Sequence, residues 1–219
     1  MREIPDSIGQ LSNLEVLDLH GNKLSMLPGS VRNLINLRIL NLSNNRFAEL
    51  PIGSIFSLPC LKEVYAASNA LTAAFFPMTV DIVRSLQVLD ISNNSLASIS
   101  FGSELHLPSV HYLDISRNRL FSLPNVASWT NLLTLLAEEN SLTALPDGLT
   151  SLKKLKVADL QRNSLRTVDA EVANMPALES LLVAANPLRE KKLLSMNTTE
   201  IKEALAKKLD AANATAAGI

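Results

Sequence analysis

An asparagine returns along this chain at a nearly fixed interval. It stands at Asn22, Asn45, Asn69, Asn94, Asn118, Asn140, Asn163 and Asn186, with gaps of 23, 24, 25, 24, 22, 23 and 23 residues. Each copy sits in the same aliphatic frame. Eight residues before it come Leu14, Leu37, Leu61, Leu86, Val110, Leu132, Leu155 and Leu178. Five before come Leu17, Leu40, Val64, Leu89, Leu113, Leu135, Ala158 and Leu181, and three before come Leu19, Leu42, Ala66, Ile91, Ile115, Ala137, Leu160 and Val183. This spacing suits neither an amphipathic helix nor a simple alternating strand. It requires one short coil per repeat. A single coil cannot bury its aliphatic residues alone, whereas stacked coils can.

The frame predicts a short strand in each coil, with its two aliphatic residues pointing inward and its alternate residues pointing out. Strands from successive coils then align as a parallel sheet. The asparagine falls where the chain leaves the strand and its backbone groups lose their ladder partners. A short amide both donates and accepts there, which makes the eight asparagines structural.

The second half of several repeats reads Leu-Pro-x-x-aliphatic-x-x-Leu, as in "LPGSVRNL" (27–34) and "LPDGLTSL" (145–152). Proline turns the chain out of the sheet. The residues after it suit a short helix or 3₁₀ turn, with Val31 and Leu34 facing back to the strands. "LTAAFFPMTVDIVRS" (71–85) and "SISFGSELHL" (98–107) break this pattern. A local bulge on the convex side is expected there, with Phe75 and Phe76 either filling the gap where longer coils splay apart or forming an exposed docking site.

The repeated L-x-x-L-x-L-x-x-N-x-L pattern resembles the leucine-rich repeat, and the resemblance covers roughly residues 4–188. It implies an α/β solenoid: a horseshoe with a parallel β-sheet on the concave face and short helices, 3₁₀ turns and loops on the convex face. Residues 1–10 read as the outgoing half of a truncated repeat and 11–188 as eight repeats. Residues 189–219 read as a C-terminal capping helix with a frayed tail. Asn197 and Glu200 have capping-box spacing, and Ile201, Leu205 and Leu209 form a helical stripe. The tail "DAANATAAGI" is expected to fray. The proline-bearing half-repeats resemble the intracellular Ras-group type, and "NPLREKKLL" with the following helix resembles leucine-rich-repeat-containing protein 40-like proteins. The resemblance implies a cytoplasmic, non-catalytic scaffold or adaptor, in small-GTPase or phosphatase signalling.

Composition narrows the function. The formal net charge is −1, with 20 Lys and Arg against 21 Asp and Glu, so nothing suggests a general grip on nucleic acid. The one cysteine, Cys60, has no partner in the chain for a disulfide, which favours a reducing compartment. No apolar run reaches the length of a membrane span. His20, His106 and His111 have no metal-ligand spacing, and there is no phosphate loop or nucleophile elbow. No catalytic residue, metal or cofactor is expected.

Binding is expected on the outward strand positions, which form three columns. The first holds Val16, Ile39, Glu63, Val88, Tyr112, Thr134, Val157 and Ser180. The second holds Asp18, Asn41, Tyr65, Asp90, Asp114, Leu136, Asp159 and Leu182, and the third His20, Ser43, Ala67, Ser92, Ser116, Glu138, Gln161 and Ala184. Partner-contact candidates are Val16, Asp18, His20, Ile39, Asn41, Tyr65, Val88, Asp90, Ser92, Tyr112, Asp114, Ser116, Glu138, Asp159 and Gln161. An acidic column beside aliphatic residues suits a partner segment carrying Arg or Lys plus apolar anchors. Asp in this column serves equally well to keep the sheet solvated, so Tyr65 and Tyr112 are the sharper candidates. Two other functions stay open: a structural fragment of a longer array without a binding role of its own, and an extracellular recognition ectodomain. The second predicts paired cysteines and a signal peptide, and this sequence shows neither.

Overall fold

Each aliphatic frame produces a strand of three residues, and the 22–25-residue period sets those strands side by side. The computed structural model describes residues 1–50, 55, 58–76, 85–101 and 108–216, and the side chains of 73–76, 100, 101 and 216 are left aside. The strands are β1 (Val16–Asp18), β2 (Ile39–Asn41), β3 (Glu63–Tyr65), β4 (Ala73–Phe76), β5 (Val88–Asp90), β6 (Ser98–Phe101), β7 (Tyr112–Asp114), β8 (Thr134–Leu136), β9 (Val157–Asp159) and β10 (Ser180–Leu182). Eight of them form one parallel sheet in the order β1-β2-β3-β5-β7-β8-β9-β10. Pairing joins equivalent positions throughout: Val16 to Ile39, Ile39 to Glu63, Glu63 to Val88, Val88 to Tyr112. No strand slips, so every column of the repeat is a straight file across the sheet.

The middle residue of each strand points into the solenoid. Leu40, Val64, Leu89 and Leu135 are fully buried, as are Leu42 and Ile91 at the next inward position. Burying one such side chain contributes about 1.5–3 kcal/mol, and every coil repeats it. The return halves supply the opposite wall. 3₁₀ helices run over Asp6–Gln10, Gly29–Asn33, Leu149–Ser151, Ala170–Asn174 and Lys191–Ser195. Val31 and Leu34 face the strands and are fully buried. Trp129 occupies the same place in its coil as Leu34 and is equally buried.

The asparagine amides tie adjacent coils together. Asn118 Oδ1 accepts from the Leu96 N–H of the preceding coil at 3.0 Å. Its Nδ2 donates to Ile91 O of that coil and to Ile115 O and Ser116 O of its own, all at 3.1 Å. The pattern recurs at Asn45, Asn69, Asn94, Asn140, Asn163 and Asn186. At Asn22 the acceptor takes the Met1 amino group instead, at 2.8 Å. Met1 therefore stands where Leu24 stands in the next coil, and residues 1–10 trace the outgoing half of a turn. On the far side of β1, Leu11 and Val16 are 51% and 53% exposed.

The residue before each asparagine is left-handed. Gly21, Asn44, Ser68, Asn93, Arg117, Glu139, Arg162 and Ala185 all have φ between 50° and 69°. One is glycine and two are asparagine, which tolerate this conformation; at Ser68, Arg117, Glu139, Arg162 and Ala185 the fold imposes it on side chains that normally avoid it.

Two expectations need correction. Residues 73–76 and 98–101 do not form an irregular bulge: β4 and β6 pair in parallel, Ala73 with Ser98 through Phe76 with Phe101. Both coils place a short extended segment after the asparagine turn, so each provides the other with backbone partners. Residues 77–84 and 102–107, and the packing of Phe75 and Phe76, lie outside the described residues. The tail does not fray after Leu209, because helix α1 (Thr198–Ala216) continues to Ala216. Its last turns are rich in alanine, the best helix former; residues 217–219 lie outside the described residues.

Helix α1 covers the last coil. Asn197 and Glu200 exchange reciprocal bonds of 2.8 and 3.0 Å at its start. Ile201 and Leu205 are buried, and Leu209 is half-buried. Thr198 Oγ1 accepts the Leu181 N–H at 2.8 Å, and Lys202 Nζ donates to Met175 O at 2.7 Å.

Exposed Ala185 offers a clean test of the imposed turn. A left-handed L-residue costs about 1–2 kcal/mol. Glycine relieves this, but its greater freedom in the unfolded chain returns about 0.5–1 kcal/mol. Ala185→Gly is expected to stabilise the protein by about 0.5–1 kcal/mol in denaturant unfolding.

Candidate functional site

The sheet's outer face carries the three columns as continuous files. Val16, Asp18 and His20 on the first coil are exposed. Ile39, Asn41, Tyr65, Val88, Asp90, Ser92, Tyr112, Asp114, Glu138, Asp159 and Gln161 are half-buried among their neighbours. Ser116 is 6% exposed, and its Oγ donates to Asp114 Oδ1 at 2.7 Å, so it presents little to a partner.

The acidic column has a structural task beyond solvation. Asp18, Asp90, Asp114 and Asp159 each accept, through Oδ1, the N–H two residues on, at His20, Ser92, Ser116 and Gln161. Asn41 does the same for Ser43 at 3.0 Å. These Asx turns end the strands. The carboxylates are still unevenly distributed. The three columns hold Asp18, Glu63, Asp90, Asp114, Glu138 and Asp159 but neither Lys nor Arg, in a chain whose net charge is only −1. Cations stand instead at the edges of the sheet. Arg38 pairs with Glu15 at 3.5 Å and Lys156 with Glu179 at 3.2 Å on one edge. On the other, Arg117 and Arg162 both pair with Glu139, and Arg117 reaches Glu138 at 4.0 Å.

A hollow of about 410 Å³ opens on this face. Its walls are Tyr65, Val88, Asp90, His111, Tyr112, Leu133 and Thr134. Tyr65 Oη donates to Glu63 Oε2 at 2.8 Å. Partial burial, that hydrogen bond and the charges of Glu63 and Asp90 push the Tyr65 phenol up to about 12. Burial, with Asp114 and Asp90, also raises Tyr112. Asp114 is raised mainly by burial and further by Asp90, against the opposing hydrogen bonds from Ser116 and the charge of Arg117.

His111 and Leu133 are missed by the column pattern. They precede the strand residues Tyr112 and Thr134, where simple alternation would turn a side chain inward. The strands begin only at the next residue, so these positions stay at the bend and line the hollow. A second set of cross-coil bonds was also illegible: Asn36 Nδ2 donates to Ser12 O at 2.8 Å, and Ser85 Oγ to Leu61 O at 2.7 Å. Among the described residues, no group of three His, Cys, Asp or Glu converges to hold a metal ion. None of the described helices is long and apolar enough to cross a membrane. His106 lies outside the described residues.

The burial of Asp114 sets a pH-dependent test. Its folded pKa is raised, so the ionised group destabilises the fold at neutral pH, and this penalty vanishes as pH falls below the unfolded value of 3.8. Asn keeps the Oδ1 acceptor, as Asn41 demonstrates. Asp114→Asn is therefore expected to raise Tm at pH 7, with the difference from wild type closing below pH 3.8.

Comparisons with known proteins agree with this architecture. The family patterns described as Leucine rich repeat and Leucine Rich repeats (2 copies) match residues 12–71 and 84–128. No curated protein matches the chain significantly by sequence. Among solved structures, a leucine-rich-repeat protein of Leptospira interrogans shares 33% identity with a TM-score of 0.77. That match covers 94% of this chain and 50% of the Leptospira protein. A chain of the Toll–Spatzle complex of Drosophila matches at 25% identity and TM-score 0.74, over 92% of this chain and 27% of its own. The ectodomain of the membrane receptor kinase GASSHO1/SCHENGEN3 of Arabidopsis thaliana, in complex with Casparian Strip Integrity Factor 2, matches at 25% identity and TM-score 0.59. This last match covers 85% of this chain and 26% of that one. The chain thus spans half the length of the Leptospira protein and about a quarter of the other two. With its repeat pattern matched over residues 12–71 and 84–128 and its coils superposable on a solved leucine-rich-repeat protein, the chain carries leucine-rich repeats and folds as a leucine-rich-repeat solenoid.

Proposed function

We propose that this chain is a non-catalytic scaffold that binds a protein partner through the concave sheet. The supporting observation is the composition of that face: six carboxylates, both tyrosines of the chain, and neither Lys nor Arg in the three outward columns. Such a surface repels nucleic acid and anionic membranes and attracts a basic polypeptide. Tyr65 and Tyr112 supply rigid contact area at its centre, the composition typical of binding hot spots. Glu138, Asp159 and Gln161 extend the surface over β8 and β9.

Within this reading we place the protein in the cytoplasm, as an intracellular Ras-group or leucine-rich-repeat-containing protein 40-like adaptor in small-GTPase or phosphatase signalling. The lone Cys60 thiol, which has no partner within the chain, suits a reducing compartment. An extracellular recognition role is the second reading, favoured by the likeness to a chain of the Toll–Spatzle complex and to the plant receptor ectodomain.

Affinity capture from lysate and from extracellular fluid of the source organism tests both. The wild-type chain runs beside a variant carrying Tyr65→Ala, Asp90→Asn, Tyr112→Ala and Asp114→Asn, with matched melting curves. A partner retained by wild type and lost by the variant supports concave-face binding, and the fraction that yields it selects the compartment. Equal capture by both proteins overturns it.

A further inference from the structure

We propose that the hollow over β5 seats the guanidinium of an arginine in a basic partner segment, and that this contact sets where the partner lies along the sheet. The inference rests on the concave-face reading above and names the chemistry of its central contact.

Register defines the shape. Glu63, Val88 and Tyr112 are side by side in one file, and Tyr65, Asp90 and Asp114 in the next. Tyr65 and Tyr112 therefore stand diagonally on either side of β5, two strand spacings across and two residues along, about 12 Å apart between backbones. Val88 and Asp90 of β5 form the floor between them. A planar group entering from solvent meets an aromatic ring on each flank and a carboxylate beneath.

Charge selects a cation. Asp90 and Asp114 commit Oδ1 to the turns at Ser92 and Ser116. Among the described residues, Oδ2 of each accepts no protein hydrogen bond, and no Lys or Arg pairs with either carboxylate. The Arg117 guanidinium pairs instead with Glu138 and Glu139. Burial and the neighbouring carboxylates raise both phenols, so their rings stay neutral well past neutral pH. Neutral tyrosine faces attract cations, and more strongly where water is partly excluded. The described carboxylates do not converge as a metal set.

Shape prefers arginine to lysine. A guanidinium is flat, weakly hydrated, able to stack on a ring and able to bond a carboxylate through two N–H groups. An ammonium is compact and strongly hydrated, and it gains less from two ring faces. The Val88 and Leu133 side chains offer apolar surface to the methylene stem.

The chain has only two tyrosines, and both line the hollow. Incorporating 3-fluorotyrosine thus gives two ¹⁹F resonances, each reporting on this place. The probe is the blocked peptide acetyl-Leu-Arg-Leu-amide, titrated to about 10 mM, a range that captures weak single-residue contacts. Parallel titrations use the same peptide with citrulline, the neutral isostere, or lysine in place of arginine. Both resonances are expected to shift saturably with the arginine peptide, about tenfold more weakly with lysine, and not with citrulline. Asp90→Asn with Asp114→Asn, which keeps both strand-ending turns as Asn41 does, is expected to weaken arginine binding at least about tenfold.

The proposal is overturned if neither resonance moves saturably with arginine, or if citrulline or lysine matches it. Unchanged affinity in the folded double variant also overturns it. If the double variant does not fold, the arginine–citrulline comparison on wild type decides alone. A silent titration beside a partner lost from the concave-face variant overturns the arginine seat and leaves the scaffold reading. Saturable arginine binding with no partner lost does the reverse.

Discussion

Every coil of this protein depends on an amide that belongs half to its neighbour. The side chain of Asn118 closes its own turn through Ile115 O and Ser116 O, and with the same atoms grips Leu96 N and Ile91 O of the coil before. Hydrophobic burial supplies most of the driving force, but burial is non-directional. The amide adds direction. It satisfies backbone groups that cannot reach a ladder partner at the bend, and only when the next coil sits in register. The same geometry explains why side chains as different as those of Arg117, Glu139 and Ala185 accept left-handed backbone: losing the amide's bonds would cost more than the strain.

In-register stacking then determines what the outer face can become. A file of side chains repeats at the strand spacing of about 4.8 Å, so like residues accumulate in rows. Four Asp residues and Asn41 stand in one row because each ends its strand with an Asx turn. A local backbone requirement, repeated, becomes a wall of negative charge. Arg and Lys are displaced to the edges, where they pair with Glu15, Glu138, Glu139 and Glu179. Where a tyrosine replaces the Asp, at Tyr65, the row opens and the hollow forms. Fold and binding surface thus share residues, and Asp→Asn separates the two roles where Asp→Ala would damage both.

Much of this architecture was legible because its determinants are local and periodic. The aliphatic frame placed the strands, alternation assigned the outward columns, and Asn197 with Glu200 marked the start of α1. What escaped was non-local or conformational. The pairing of β4 with β6 depends on two distant segments departing from the pattern together, which neither segment announces alone. Left-handed backbone at Arg117, Glu139 or Arg162 leaves no trace in residues that normally avoid it. The Asx turns looked like solvating charge, because Asp serves both purposes. At the site, Tyr65, Tyr112, Val88 and Asp90 could be placed by alternation, whereas His111 and Leu133 required knowing where each strand begins. Alanine richness in 210–216 looked like a loose tail, although its helix propensity carries α1 onward.

Amide hydrogen exchange at Leu96, in the wild type and in Asn118→Ala, probes the shared amide most directly. The account predicts strong protection of the Leu96 N–H in wild type and its loss by at least about tenfold in the variant, corresponding to about 1–3 kcal/mol of lost satisfaction. The strand amides of Leu40 and Leu42, several coils away, should keep their protection. If Leu96 exchanges freely in wild type, or stays equally protected without the Asn118 side chain, the coils are not held together in this way.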